Sequence, residues 1–335
     1  MLNTAKAGTM WLACALALLG YSAISHAAPA IDAEHRATFV TLGTGGGPII
    51  RVKRSEPANA VIIGNQVYLF DVGDGVQRQL QAAGIQQSAI KAIFISHHHI
   101  DHNGGLGPLL ASRWLMRAPG KVAIIGPSGT VALVNGLSAA YAPIVEASQT
   151  LGAAPSKPIA DSTAPQDMAL TMDVPTLVFQ DANIRVLAIT NNHYNLRPTA
   201  AVSEHARSYA FRIEAGGRSF VYTGDTGPSP RVELLAKGAD MLISEVINLA
   251  SVRAVLEKTP AIPASFYAPI MAHMVQDHLT PQEVGKMAAA AGVKEVILTH
   301  LTMGLDDEKS TAGYTEGIAP TFKGRVRVAN DLDRF

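Results

Sequence analysis

A six-residue stretch rich in histidine most strongly constrains what this chain can form. It consists of His97-His98-His99-Ile100-Asp101-His102 and is separated from the apolar run Ala92–Ile95 by Ser96 alone. Imidazole and carboxylate groups are the ligands that borderline divalent metal ions prefer. Four of them, His97, His99, Asp101 and His102, share the spacing H-x-H-x-D-H and can address two adjacent ions. The stretch, called the hexad below, therefore predicts a dinuclear metallohydrolase whose metal-binding loop follows a strand.

The first residues of the chain, 1–27, are typical of a secretory signal peptide. Lys6 precedes the apolar core Met10–Leu19, and Ser25-His26-Ala27 forms a small-x-small cleavage site. The apolar core is about half of the roughly 20 residues that a membrane span needs, so no stable membrane anchor is expected. We predict export to the periplasm or secretion, and one hydrolase domain over residues 36–335.

Charge and cysteine content narrow the classes of partner and ligand. The chain has 27 basic and 27 acidic residues, hence a formal net charge of zero, and it contains no basic block. Because electrostatic affinity for polyanions is not built in, these numbers predict a small-molecule substrate and make nucleic acid an unlikely partner. The single cysteine, Cys14, lies in the predicted signal peptide. Metal ligands must then be His, Asp, Glu or water.

Apolar runs alternate with turn signals along the chain and form two groups of predicted strands, each accompanied by helices. This pattern alone favours an α/β or α+β fold. The pattern fades over Ala147–Met168, so a loop or insertion is expected near residues 143–170. This segment and Leu249–Met274 are expected to supply the pocket walls as loops.

Further potential ligands lie where predicted strands end. Strand ends gather at one edge of a layered α/β fold, so these side chains can converge on the hexad. They are Asp71 after Val67–Phe70, His193 after Val186–Thr190, Asp225 after Phe220–Thr223 and His300 after Val296–Thr299.

Taken in order, these elements resemble the metallo-β-lactamase-fold superfamily, and within it the ribonuclease Z and arylsulfatase-like branch. The matching elements extend from about Val40 to Leu301. The resemblance implies an α/β fold built as a four-layer αββα sandwich. The elements are Leu42-Gly43-Thr44-Gly45, the stretch from Asp71 to Gln79, the hexad, His193, Thr223-Gly224-Asp225 and His300.

The resemblance also implies a centre of two Zn²⁺ ions, although the same ligands accept manganese or iron. Zinc lowers the pKa of bound water to about 7 and so supplies hydroxide at neutral pH. Asp101 would serve the reaction as well as the metal, and Asp71 would orient a ligating imidazole. The implied ligands are His97, His99 and His193 for one ion, Asp101, His102 and His300 for the other, and Asp225 as a bridge.

Two more residues match the branch. Glu245 lies where ribonuclease Z-like proteins carry a His-Glu-Ala-Thr element, and His278-Leu279-Thr280 is similar to their H-x-T element. The chain departs from the first element in having Ser244 and Val246-Ile247. The resemblance implies that Glu245 supports His278 as a general acid for the leaving group. Of the other histidines, His98 is expected to point away from the metals, and His273 is a candidate for the pocket lining whose role stays open.

The leading hypothesis is an exported zinc-dependent hydrolase of an ester-type bond in a small molecule, with a sulfate ester or a phosphodiester first. Export would remove access to transfer-RNA precursors. The alternatives are a lactonase or β-lactam hydrolase and, from another class, an iron-dependent oxidoreductase. The oligomeric state stays open, with a homodimer as one option.

Overall fold

Two β-sheets pack face to face in this computed structural model, which describes residues 36–150, 152, 155, 157–194 and 204–335. The predicted signal peptide lies outside the described residues. The strands are β1 Thr38–Gly43, β2 Gly45–Gly46, β3 Ala58–Ile63, β4 Gln66–Val72, β5 Ile90–Phe94, β6 Val122–Gly126, β7 Thr163–Asp167, β8 Thr176–Gln180, β9 Ile184–Thr190, β10 Tyr209–Ala215, β11 Arg218–Tyr222, β12 Met241–Ile247, β13 Glu295–Thr302 and β14 Arg325–Val328. The α-helices are α1 Val76–Ala82, α2 Ile100–Asn103, α3 Leu106–Leu115, α4 Thr130–Ala140, α5 Ala142–Gln149, α6 Pro230–Ala236, α7 Leu249–Lys258, α8 Tyr267–Asp277 and α9 Pro281–Ala291.

Each sheet combines antiparallel and parallel pairing. In the first sheet, whose order is β1-β3-β4-β5-β6-β7, β1, β3 and β4 are antiparallel and β4 to β7 are parallel. The second sheet has the order β14-β13-β12-β11-β10-β9-β8, with β11 to β14 parallel and β2 added beside β13. The carboxyl ends of β4 and β5, and likewise of β11, β12 and β13, therefore lie at a common edge of their sheet.

An aromatic cluster fills the space between the sheets. The rings of Phe70 and Phe94 stack with their centroids 4.7 Å apart, and Phe211 of the second sheet lies 5.8 Å from each of them. All three side chains are fully buried. Aromatic pairs of this kind bury large apolar areas and prefer offset or tilted geometry. The cluster fixes the two sheets against each other.

Helices cover the outer face of each sheet through separate apolar clusters. Leu109 and Trp114 of α3 pack with the first sheet, whereas Val232 of α6 and Met287 of α9 pack with the second. The predicted α/β four-layer αββα sandwich is thereby confirmed. Helix α9 begins after Thr280, which forms a capping box with Glu283.

Two segments expected to be loops contain regular structure. Within 143–170, most of α5 is followed by β7, whose polar sequence and Pro165 suit the sheet edge that it occupies. The segment Leu249–Met274 contains α7 and most of α8. Helix α7 begins at Asn248, whose side chain accepts hydrogen bonds from two backbone amides, and it buries one apolar face.

Within the described residues, no single helix is long and apolar enough to cross a membrane. The neighbouring helices α4 and α5 pass this test together by length and composition, but they are bent by 42° relative to each other.

Candidate active site

The hexad connects β5 to α2 and presents its side chains from a short loop and one helical turn. His97 lies beyond the end of β5 and is fully buried, while His99 is the N-cap of α2. Asp101 and His102 lie in that helix and are also buried. Because α2 turns away from the strand, it places Asp101 and His102 at a position different from that of His97 and His99.

Of the other candidate residues, His193, Asp225 and His300 come from the second sheet, whereas Asp71 comes from β4 of the first sheet. His193 follows β9 and Asp225 follows β11, as the sequence predicts. His300 and Asp71 differ from the prediction, because they lie within β13 and β4 near the strand ends, with left-handed φ angles of 43° and 59°. All four side chains are buried.

These residues form two groups that share one carboxylate. The ligand atoms within each group all lie within 4.8 Å of one another. Asp225 belongs to the first group and also approaches the second group through His102 and His300. The first group is His97, His99, His193 and Asp225, and the second is Asp101, His102 and His300.

The two oxygens of Asp225 face different groups. Oδ2 lies 3.9 Å from Nε2 of His97, whereas Oδ1 lies 3.1 Å from Nε2 of His300 and 3.3 Å from Nε2 of His102. Oδ2 of Asp101 lies 3.4 Å from the same nitrogen of His300. A carboxylate whose two oxygens face different ligand groups can bridge two ions.

Several of these atoms are buried without a hydrogen-bond partner among the described residues. These atoms converge on one region, but their relative positions do not let them form hydrogen bonds with one another. Imidazole nitrogens and a carboxylate oxygen left in this state fit the donor set of zinc. We conclude that the residues fit the two ions implied by the sequence. The atoms are Nε2 of His97, His102 and His300 and Oδ1 of Asp225.

The electrostatics of the cluster favour a bound cation. Burial lowers the pKa of His97 and brings the pKa of His193 to about 3, so both rings are neutral and able to ligate. Burial also opposes charge on His300, but Asp225 and Asp101 outweigh it and raise the pKa of that ring to about 10. The buried carboxylates of Asp225 and Asp101 therefore favour positive charge at this point, which protons or metal ions can supply.

The ligating rings are held by partners on their other nitrogen. Nδ1 of His102 lies 2.7 Å from Oδ2 of Asp71, a contact of the kind expected from the sequence between Asp71 and a ligating imidazole. Tyr222 donates to the same oxygen at 2.7 Å. Nδ1 of His300 lies 2.7 Å from the hydroxyl of Thr302.

Sequence reasoning missed Tyr222 and Thr302. Tyr222 is separated from Asp71 by 151 positions, so only the fold joins them. A signal did exist for Thr302, because residues two apart in a strand share a face and His300 was already a candidate.

Close backbone approach explains part of the glycine-rich stretch Gly43–Gly47. A Cβ on Gly46 would lie 2.8 Å from the ring of His300, and one on Gly47 would lie 2.6 Å from the side chain of Asp101. The backbone N–H of Gly47 also donates to Oδ2 of Asp101 at 2.9 Å. The backbone of Gly46 and Gly47 therefore lies directly against two of the predicted ligands.

His278 and Glu245 form the pair that the sequence implied. Nδ1 of His278 lies 2.7 Å from Oε2 of Glu245, and both residues are buried. The other oxygen of Glu245 accepts a hydrogen bond from the backbone of Thr226 at 2.5 Å. Burial lowers the pKa of His278 to about 4. The carboxylate fixes the ring with its Nε2 edge available to a ligand.

The remaining histidines separate as expected. His98 belongs to none of the ligand groups found among the described residues, and its Nδ1 lies 3.3 Å from the side-chain amide of Asn103. His273 lines the cavity beside the ligands, and its Nδ1 lies 2.7 Å from Oδ2 of Asp277. This contact raises the pKa of His273.

A cavity of about 350 Å³ lies above the ligand groups. Asp101, Asp225 and His300 contribute to its lining, together with His273 and His278. Most of the remaining wall is apolar and comes from the segment after β2, from α2, from α8 and the segment before it, and from the residue after β13. The apolar side chains are Pro48, Ile49, Ile100, Ile262, Ile270, Met274 and Met303.

The family follows from comparison with known proteins. A family model described as a β-lactamase superfamily domain matches residues 67–301, which include the hexad and every other predicted ligand. The chain belongs to the metallo-β-lactamase superfamily. It is thus a metal-dependent hydrolase by family, and its ligand groups agree with that chemistry.

Relatives of this chain within the superfamily are named ribonuclease Z. The chain is 31% identical to a ribonuclease Z of Mycolicibacterium paratuberculosis and 29% identical to a ribonuclease Z of Mycobacterium marinum. Each alignment covers 88% of this chain and 96% of the relative. The human short-form tRNase Z shares the fold, with a TM-score of 0.60, 21% identity and coverage of 89% of this chain and 98% of that one.

These relatives correct one expectation from the sequence. A small-molecule substrate with nucleic acid as an unlikely partner is wrong, because proteins named ribonuclease Z match nearly the whole described chain. Net charge misled because it sums over the entire chain and says nothing about the substrate that a metal centre accepts. The relatives also favour the ribonuclease Z side of the predicted branch over its arylsulfatase side.

Proposed function

We propose that this protein hydrolyses phosphodiester bonds in RNA. The observation that carries the proposal is the division of Asp225 between two ligand groups, with Oδ2 towards His97 and Oδ1 towards His300. Two-metal centres suit in-line displacement at phosphorus because both the attacking and the leaving oxygen need stabilisation. The relatives named ribonuclease Z support RNA as the polymer.

The two groups would each hold one zinc ion, bridged by Asp225. When bound, the ions lower the pKa of water and polarise the phosphoryl oxygens. The protein supplies the remaining functions. Asp71 and Thr302 keep the rings of His102 and His300 in orientation. Glu245 holds His278 through Nδ1 and leaves its Nε2 edge towards the cavity. Because burial lowers the pKa of this ring to about 4, the ring must take up a proton, such as the one that the attacking water loses, before Nε2 can pass a proton to the departing alkoxide.

Export of the enzyme is a separate part of the proposal. If residues 1–27 direct secretion, the substrate is RNA outside the cytoplasm and not a transfer-RNA precursor. The lactonase, β-lactamase and iron-oxidoreductase alternatives have no support from the relatives reported above.

The test is an RNA cleavage assay with a matched inactive variant. Purified protein loaded with zinc is incubated with end-labelled single-stranded RNA, and the products are resolved by length. Wild type is expected to cleave, and Asp225→Asn, which retains the size of the side chain, is expected to lose cleavage together with zinc. Cleavage that persists in a metal-depleted Asp225→Asn preparation would show a contaminating nuclease and remove the support for this site.

A further inference from the structure

The cavity contains a second histidine–carboxylate pair beside that of His278. His273 lies on α8, and its Nδ1 is 2.7 Å from Oδ2 of Asp277, one helical turn further along. The side chain of His273 is 42% exposed, whereas that of Asp277 is 10% exposed. The carboxylate is thus covered by protein while the imidazole remains accessible from the cavity that it lines.

Asp277 connects this pair to the metal ligands. Its backbone carbonyl lies 3.0 Å from Nδ1 of His193, while its side chain holds His273. The ring of His273 lies 5.9 Å from that of His193 and 5.6 Å from that of His278, measured between centroids. Asp277 therefore holds both His193, a predicted metal ligand, and His273, whose imidazole faces the cavity.

The surroundings of His273 restrict what it can bind. Ile270 and Met274 lie beside it on α8 and line the same cavity. With Nδ1 occupied by Asp277, Nε2 is the ring nitrogen left for a ligand. It can accept a hydrogen bond from a hydroxyl group when the ring is neutral and donate one when the ring is charged. A nucleotide of RNA presents such a combination, because its 2′-hydroxyl lies beside the carbon edge of the sugar and the face of the base.

On the basis of the proposed function, we propose that His273 binds the ribose 2′-hydroxyl of the nucleotide next to the scissile phosphate. The 2′-hydroxyl both donates and accepts, and it distinguishes RNA from DNA at a given site. His273 would then be the residue that gives this metal centre its preference for ribose. The apolar side chains on α8 would contact the base or the carbon edge of the sugar.

The experiment compares a short oligouridylate with its 2′-deoxy counterpart, using zinc-loaded enzyme. Wild type is expected to show a kcat/KM at least about 10-fold higher on the ribose form, which corresponds to one hydrogen bond that the deoxy form cannot make. In His273→Asn the ratio of the two values is expected to fall to within about twofold of one. Asp277→Asn keeps the carbonyl that holds His193 and is expected to give a smaller fall. His205→Asn, an exposed histidine outside the cavity, is the control and should retain the wild-type ratio.

The outcomes distinguish a failure of the inference about His273 from a failure of the proposed RNA hydrolysis. If wild type cleaves the ribose form and His273→Asn lowers the rates on both forms equally, the residue does not bind the 2′-hydroxyl and the inference fails alone. If wild type cleaves neither form, the proposed function fails and the inference fails with it. Zinc content and the circular dichroism spectrum of each variant confirm that a changed ratio reflects the substrate contact and not the fold.

Discussion

Asp71 holds His102 through a short contact, with Oδ2 of the carboxylate 2.7 Å from Nδ1 of the ring. Both side chains are fully buried. The same oxygen receives hydrogen bonds from the hydroxyl groups of Ser96 and Tyr222, each at 2.7 Å. The carboxylate therefore fixes the orientation of a ring whose Nε2 faces the proposed metal centre.

The first prediction concerns this contact. Asp71→Asn keeps the size of the side chain, and asparagine tolerates the left-handed backbone found at this position. Loss of the carboxylate is expected to weaken zinc binding about 10- to 100-fold, because outer partners of metal ligands have effects of this size. Competition with a chromophoric chelator measures the affinity. Tyr222→Phe removes one bond to the same oxygen and should have a smaller effect, and an unchanged affinity in Asp71→Asn would show that the contact does not support the ligand.

The second prediction separates proton donation from metal binding. His278→Asn is expected to lower kcat on RNA by about 10²- to 10⁴-fold, as loss of a general acid does. The loss should be much smaller on bis-p-nitrophenyl phosphate, whose leaving group departs without a proton. Glu245→Gln should show the same difference in weaker form, since it alters the side-chain atom that pairs with Nδ1 of the ring. Equal losses on both substrates would argue that His278 binds the phosphate and does not donate a proton.

The third prediction concerns the contact between the sheets. Phe94 is fully buried and lies within 6 Å of Phe70, Phe179 and Phe211 between ring centroids. Phe94→Ala is expected to lower the free energy of unfolding by about 3–5 kcal/mol, because it removes apolar contact and leaves a cavity. Urea denaturation measures the change. Val174→Ala, at a side chain that is 62% exposed, should change it by less than about 0.5 kcal/mol. Similar effects of the two substitutions would contradict the proposed core.

The fourth prediction concerns export. Expressed with residues 1–27 in a bacterium that has a periplasm, the protein is expected to be recovered from that compartment. Its first residue should be Ala28, because cleavage is predicted after Ala27. Peptide mass spectrometry of the amino terminus makes the measurement. An uncleaved chain found only in the cytoplasm would remove the case for an extracytoplasmic substrate.

Much of the fold could be predicted from local patterns. The predicted strand Val67–Phe70 lies within β4, since an apolar run bounded by turn residues defines a strand without reference to distant parts of the chain. The edge strand β7 was missed because an edge tolerates polar residues and Pro165. Helix α8 was missed because Pro269 near its start obscured the helical pattern.

The residues of the site likewise include some that the sequence predicts and some that it does not. The ligands could be predicted because His97, Asp225 and their partners follow recognisable strands in a fixed order. Of the groups that orient them, Asp71 was implied by the resemblance, but Tyr222 could not be predicted, since its contact with Asp71 depends on how the two sheets pack. The carbonyl of Asp277, which holds His193, carries no signal in the sequence because every residue has a carbonyl.

The central claim is that a two-zinc centre bridged by Asp225 cleaves RNA. The most direct test is to titrate metal-free protein with zinc and to record the rate of RNA cleavage at each ratio of zinc to chain. The rate is expected to rise to a plateau at about two equivalents, because the ligand groups fit two ions. A plateau at one equivalent, or no cleavage of RNA at any zinc concentration, would contradict the account.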